Sequence, residues 1–276
     1  AVAIGTSGTT GTSKEVLLSS TALISSARAS NKFIGAQSGQ TWSLLLPLTH
    51  IAAVNVVVRS MELGTTPIDL RNFDGDYPKA DYTAIVPTQL FRALNGDQRL
   101  LSHLKSAKAV LVGGAALAED LHLQATKAGI KIVVTYGMTE TVSHIAVKKL
   151  NNFSGQEEEK YFTTLPGIKL SQDERGCLII EAPKLSDDKI VTNDIVDLKS
   201  DSSFKWLGRY DNVVNSGGIK LFPEQIDLLN TVKNSIKVTN PAPVVGGGDA
   251  ETDDEIKLNP WRLKAIERPF SDCIPY

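Results

Sequence analysis

A chain of 276 residues that is 42% hydrophobic has the material for one large or two modest packed domains. Its formal net charge of −2 gives no electrostatic reason to expect nucleic acid or an anionic membrane surface as partner, and no apolar run is long enough for stable membrane insertion. Cys177 and Cys273 lack metal-ligand spacing and no signal peptide opens the chain, so a disulfide framework and a zinc site are not expected and the thiols read as those of a cytoplasmic protein.

The apolar stub Val2-Ala3-Ile4 predicts a strand, and it runs straight into Thr6-Ser7-Gly8-Thr9-Thr10-Gly11-Thr12-Ser13-Lys14, nine positions with six hydroxyls, two glycines and one lysine. Hydroxyls and exposed backbone N–H groups donate to an anion, Gly8 and Gly11 permit close backbone approach, and Lys14 adds positive charge. The loop reads as a phosphate cradle, with a solvated hydroxyl-rich turn as the alternative. It departs from the Walker A pattern, in which the lysine follows a glycine and opens a helix, because Lys14 follows Ser13.

Further on, Arg59 sits inside the apolar run Val54-Asn55-Val56-Val57-Val58 and Met61. A buried arginine is costly alone, so a carboxylate partner is expected, either on the protein or on a ligand. Residues 83–86 predict a strand, with Pro87 opening a helix through Leu94. A βαβ unit follows: a strand at 109–112 ending on Gly113-Gly114, a helix over 118–128 with Leu121 and Ala125 on one face and Gly129 as its stop, and a strand over 130–135. Such units build parallel sheets with ligands at the carboxyl ends of the strands, where Gly113-Gly114-Ala115 and Tyr136-Gly137 fall. Glycines there also serve simply to end strands and helices. Glu140 suits Mg²⁺, which takes one or two carboxylates beside phosphate oxygens and water, and Thr139 can donate to a phosphate. His144 reads as core or pocket, whereas His103 and His122 read as surface helix residues. Residues 156–160 read as a solvated loop, residues 161–207 as a small β subdomain of short strands, and Pro223 as the start of a helix.

Three stretches taken in order, the hydroxyl loop, Tyr136-Gly137-Met138-Thr139-Glu140-Thr141 and Gly208-Arg209-Tyr210-Asp211, resemble the adenylate-forming enzymes: acyl-CoA synthetases, peptide-synthetase adenylation domains and luciferases. Thr192-Asn193-Asp194-Ile195-Val196-Asp197-Leu198 and residues 211–220 resemble the o-succinylbenzoate–CoA ligase branch of that family. The resemblance covers residues 5–227 and thins beyond. It implies an α/β adenylate-forming fold, with a large α/β domain of parallel sheets and a small β subdomain over 1–210, and a small α+β lid over 211–276 hinged near Asp211. Both ends read as truncated: the family's N-terminal subdomain would precede residue 1, and its lid lysine would follow Tyr276, Lys264 being no replacement.

The resemblance also implies roles. Thr6, Ser7, Gly8, Thr9, Thr10, Gly11 and Lys14 would hold the β- and γ-phosphates of ATP, and Thr139 the α-phosphate. Glu140 would bind Mg²⁺, Asp194 the ribose hydroxyls and Arg209 ribose and phosphate. Gly113, Gly114 and Ala115 would cover one adenine face, with Tyr136 and Gly137 on the other side. His50, in Leu46-Pro47-Leu48-Thr49-His50-Ile51, would lie by the acyl pocket and gate CoA entry. Arg59 would meet a carboxylate of the acid, with an internal ion pair as the alternative, and Ser143 would add a hydrogen bond to that acid. Gly217, Gly218 and Lys220 would belong to the lid, the glycines passing the pantetheine arm or forming a hairpin turn. The implied activity is conversion of o-succinylbenzoate, ATP and CoA to o-succinylbenzoyl-CoA, AMP and pyrophosphate through an acyl-adenylate, in menaquinone synthesis. Partners are then small molecules, and a homodimer is compatible with the resemblance. A CoA ligase for another aryl or short-chain acid, and a nucleotide-binding module impaired in catalysis, remain alternatives.

Overall fold

The structure, a computed structural model, describes residues 1–6, 14–149, 161–216 and 219–223, with the backbone alone at 6, 14, 149, 215, 216, 219 and 220. In chain order the described elements are β1 (Val2–Thr6), β2 (Lys14–Leu18), α1 (Ser20–Ile34), β3 (Trp42–Leu44), α2 (Ile51–Glu62), β4 (Ile68–Asp69), β5 (Tyr82–Ile85), α3 (Pro87–Leu94), α4 (Gln98–Ser106), β6 (Ala109–Val112), α5 (Glu119–Lys127) and β7 (Ile132–Gly137). There follow β8 (His144–Lys149), β9 (Phe162–Thr164), β10 (Lys169–Gln172), β11 (Cys177–Glu181), β12 (Ile190–Ser200), β13 (Ser203–Arg209), β14 (Val214–Ser216) and β15 (Ile219–Leu221).

One 11-stranded mixed sheet runs β10-β11-β12-β13-β9-β8-β7-β6-β5-β3-β4. Its β4-β3-β5-β6-β7 part is parallel, and from β7 onward every pairing is antiparallel. The small β subdomain expected over 161–207 is therefore hydrogen-bonded onto the parallel sheet through β8 and β9 rather than standing apart. The expected strand at 130–135 begins two residues later and runs on through Tyr136-Gly137, because β8 folds back to pair with that end.

Strand alternation explains the layering. Val110, Val112, Ile132 and Val134 pack into a core under α3, α4 and α5, whereas Ala109, Leu111 and Val133 pack with Trp42, Leu44 and Val56 on the opposite face, toward α2. Strands apolar on both faces are what a sheet covered by helices requires. The strands β1 and β2 form a separate antiparallel hairpin with Thr6 opposite Lys14, and its Ile4 and Leu18 pack with Ala22, Leu23 and Val142. Lys14 opens a strand, not a helix, which removes the Walker A alternative.

His103 and His122, read as surface residues, are buried. They follow the i, i+3 stripe of their helices, one turn from Leu100 and Ala125, and each finds a hydroxyl: Ser43 Oγ lies 2.8 Å from His103 Nε2 and Thr126 Oγ1 3.4 Å from His122 Nε2. Cys177 is a free, buried thiol, whereas Cys273 lies outside the described residues. Among the described residues no helix is long and apolar enough to cross a membrane. The lid expected over 211–276 lies mostly outside the described residues. So do the solvated loop at 156–160 and the helix expected from Pro223, beyond its first residue.

Candidate active site

An open cavity of about 1260 Å³ lies across the carboxyl ends of β6 and β7 and the near side of β12 and β13. Its wall includes Val16 to Ser19, Gly114 and Ala115, Tyr136 to Met138 with Glu140, and Asp194 with Arg209. The βα turn after β6 is shaped by its glycines. Gly114 has φ +84°, and a Cβ on Gly113 would stand 2.2 Å from Thr135 Oγ1.

Asp194 sits within β12 opposite Arg209 of β13 and is nearly buried. Tyr136 donates its hydroxyl to Asp194 Oδ2 at 2.6 Å, and Arg209 Nη1 lies 3.7 Å from the other carboxylate oxygen. Burial, then the neighbouring carboxylate, pushes the Tyr136 phenol well above its usual pKa, so it stays a donor. Arg209 also reaches Asp211 Oδ2 at 3.4 Å, which accepts from Asn193 Nδ2 at 3.2 Å. Arg175 braces the same strand through Asn193 Oδ1 and the Thr192 carbonyl.

The turn from β7 to β8 presents Glu140 to the cavity. Thr141 ties it: its buried hydroxyl accepts from the Met138 amide at 2.9 Å and lies 2.7 Å from the Ser143 carbonyl as donor. Val142 is the one described non-glycine residue with positive φ, at 65°, a conformation that a β-branched side chain resists. Two things hold it there. Its side chain is fully buried with Ile4 and Leu18, and its carbonyl accepts from Asn55 Nδ2 of α2 at 2.7 Å. The turn passes so close to β7 that a Cβ on Gly137 would stand 2.2 Å from the Ser143 carbonyl oxygen. Glu140 has no hydrogen bond or ion pair among the described residues, and one open carboxylate at a cavity sized for a nucleotide fits a magnesium ion carried in by phosphates.

Behind this turn lies Arg59, only 2% exposed on α2. Its guanidinium donates to Ser143 Oγ at 2.6 Å and lies 5.2 Å over the Trp42 ring. No carboxylate pairs with it among the described residues, and its Nε has no hydrogen-bond partner there. Burial without a counter-charge pulls its pKa down to about 9. The internal ion pair offered as one explanation of this arginine is thus not found among the described residues.

A family model described as AMP-binding enzyme matches residues 1–171. The chain belongs to the AMP-binding enzymes. It is 30% identical over 255 residues to a protein of Mycobacterium tuberculosis named probable 2-succinylbenzoate–CoA ligase, covering 82% of this chain and 62% of that relative. The 2-succinylbenzoate–CoA ligase of Escherichia coli is 27% identical over 80% of this chain, which covers 50% of it. The chain therefore spans little more than half the length of such curated relatives. Among solved structures, an acyl-CoA synthetase (AMP-forming)/AMP-acid ligase II-like protein of Dyadobacter fermentans superimposes with a TM-score of 0.67 at 32% identity, covering 87% of this chain and 69% of that one.

Within this AMP-binding enzyme the cavity brings together Gly114, Ala115, Tyr136, Gly137, Glu140, Asp194 and Arg209. Gly113 and Thr139 adjoin it without lining it, and Arg59 and Ser143 lie behind it as a pair. His50 is the exposed N-cap of α2, away from the cavity wall, and makes no side-chain capping bond. Asp211 lies in a short 3₁₀ turn after β13. Thr6 and Lys14 end the β1–β2 ladder; Ser7, Gly8, Thr9, Thr10 and Gly11 lie outside the described residues, as do Gly217 and Gly218. The strands flanking those two glycines pair antiparallel, Ser216 opposite Ile219, with Lys220 in β15. Lys148 and His122 are cavity residues outside the expected set. Lys148 lies 4.4 Å over the Phe162 ring, with burial, then Lys205, lowering its pKa to about 8. His122 enters the wall from α5, foreshadowed only by its place on the apolar stripe.

Proposed function

We propose that the chain is the nucleotide- and acid-binding part of an AMP-forming acid–CoA ligase whose acid is o-succinylbenzoate. The observation that carries the choice of acid is Arg59: a buried cation with a free Nε, held against Ser143 three residues beyond Glu140, and without a protein carboxylate among the described residues. A buried unpaired charge is expensive, and a substrate's second carboxylate would relieve it. Relatives named 2-succinylbenzoate–CoA ligase support the same acid. An o-succinylbenzoate coenzyme A synthetase of Bacillus subtilis in complex with ATP and magnesium ion, 20% identical with a TM-score of 0.70 over 84% of this chain and 55% of that one, shares the fold.

In this reading one carboxylate of the acid attacks the α-phosphate of ATP, pyrophosphate leaves, and the thiol of CoA then displaces AMP from the acyl-adenylate. Asp194 holds the ribose hydroxyls, and Tyr136, already bonded to that carboxylate, keeps it oriented. Arg209 supports ribose and α-phosphate, Thr139 donates to the α-phosphate, and Gly113, Gly114 and Ala115 flank the adenine. Lys14 and the hydroxyl loop take the outer phosphates. Glu140 would hold magnesium, which supplies charge neutralisation to the triphosphate when bound. His50 gates the acyl pocket, and the chain hinges at Asp211, with Gly217, Gly218 and Lys220 on the lid.

The test is mass spectrometry of products formed with ATP, Mg²⁺ and a panel of acids, with and without CoA, for the wild type and Arg59→Leu. The expected result is an adduct of AMP with o-succinylbenzoate that becomes the CoA thioester, and a variant that loses the dicarboxylate while still activating a monocarboxylate of the same skeleton. Equal losses on both acids would overturn the substrate, and no adduct with any acid the activity.

A further inference from the structure

The partners of Arg59 do not end with Ser143. The His144 ring, itself buried, places Nδ1 3.4 Å from Arg59 Nη2 and 3.4 Å from Ser143 Oγ, and Nε2 3.3 Å from Ser30 Oγ on α1. Hydrogen chemistry fixes the direction of this chain. A guanidinium only donates, so the nitrogen facing it must be the bare acceptor of a neutral ring. The ring proton then sits on Nε2 and points at Ser30. Ser143 accepts from Arg59, and its own hydrogen shares the single Nδ1 lone pair with the guanidinium. Burial first, then Arg59, holds the His144 pKa well below the usual value, which agrees with a neutral ring. Asn31, next to Ser30, clamps the helix beneath: its Nδ2 donates to the Arg59 carbonyl at 3.0 Å. On its far side His144 borders a cavity of about 40 Å³ shared with Ser26, Leu165 and Lys184. Its polar contacts are with Ser30 and with the Arg59–Ser143 pair.

We infer that His144 is a positioning residue for acid selection: as the Nε2–H tautomer anchored on Ser30, it orders Ser143 and the Arg59 guanidinium so that Arg59 Nε remains the free donor for the acid's second carboxylate. This rests on the reading of Arg59 given above. It also explains why Ser143 and His144 adjoin each other: the serine hydroxyl is the hinge of the relay, its lone pair facing the cation and its hydrogen facing the imidazole.

Two experiments on the intact protein test it. Long-range ¹H–¹⁵N correlation on the ¹⁵N-labelled wild type at pH 7 should show His144 as the neutral Nε2–H tautomer; an Nδ1–H tautomer or an imidazolium would overturn the proposal. In steady-state kinetics His144→Leu should raise KM for o-succinylbenzoate about tenfold, the cost of one hydrogen bond involving a charged group, while KM for ATP moves less than about threefold. His144→Asn, whose Oδ1 can accept in place of Nδ1, should recover most of that loss. Equal effects of Leu and Asn, or parallel losses in KM for acid and ATP, would mean a merely structural residue. A wild type without preference for the dicarboxylate would overturn the substrate reading, and with it the purpose given to His144, yet leave the tautomer result standing.

Discussion

Tyr136→Phe removes a single atom from the site, and its cost can be worked out beforehand. The ring itself is kept: it packs with centroids 5.0 Å from Phe204 and 5.8 Å from Phe162, contacts that phenylalanine reproduces. What disappears is the 2.6 Å donor to Asp194 Oδ2, leaving a carboxylate that is 6% exposed with Arg209 at 3.7 Å and its own β12 surroundings. A hydrogen bond to a charged group contributes about 1.5–3 kcal/mol, and an orphaned buried acceptor forfeits all of it. At about 2–4 °C per kcal/mol for a domain of this size, the melting temperature should fall by roughly 3–12 °C without ligand. Differential scanning fluorimetry measures this, and a double-mutant cycle assigns it. On an Asp194→Asn background, where the acceptor is neutral, Tyr136→Phe should cost no more than about 1.5 kcal/mol. A melting temperature within 1 °C of wild type, or the same loss on both backgrounds, would refute the idea that Tyr136 supports the Asp194 carboxylate.

Two further outcomes follow from the same geometry. Lys148, with a folded pKa of about 8 against ~10.4 when unfolded, is bound to its proton more tightly by the unfolded chain. The cost is fully present below pH 8 and fades as pH rises toward 10.4, so Lys148→Met should stabilise by up to about 3 kcal/mol at pH 7, with the gap closing by pH 10 in urea titrations. A pH-independent gap would exclude desolvation as the cause. Gly137→Ala places a Cβ 2.2 Å from the Ser143 carbonyl oxygen and 2.5 Å from His144 Cα, both backbone atoms that cannot swing aside. It should lose about 1–3 kcal/mol and raise KM for the acid; a fully stable variant would mean that β7 and the turn separate easily.

Part of the site was legible from residue types and part only through the family resemblance. The β6 strand, α5 and the Gly129 stop follow from apolar runs and turn glycines, Gly114 and Glu140 from their own chemistry, Asp194 and Arg209 from the resemblance alone, and these four residues line one cavity. What periodicity cannot reveal is how strands far apart in the chain join. The antiparallel β8 and β9 weld the later strands onto the parallel sheet, and that single fact brings Tyr136 to Asp194 across 58 positions of sequence. His103 and His122 were misread for a related reason: a polar type on an apolar stripe becomes core once a hydroxyl on another element satisfies it, and Ser43 lies 60 positions from His103. Lys148 carries no local mark at all, its environment being made by Phe162 and Lys205 from other strands.

Val142 sets the terms on which this site can evolve. Its backbone asks for glycine and its side chain slot asks for a branched aliphatic, and both demands are met at once only because Ile4, Leu18 and Asn55 press from three separate elements. Exchange for glycine empties the slot; exchange for a larger residue dislodges the hairpin that leads into the hydroxyl loop. Position 142 therefore changes only in company with compensating changes on β1, β2 and α2. In a deep mutational scan it should stand out as intolerant of glycine and of larger side chains alike, the mark of a joint fixed by backbone and side chain at once.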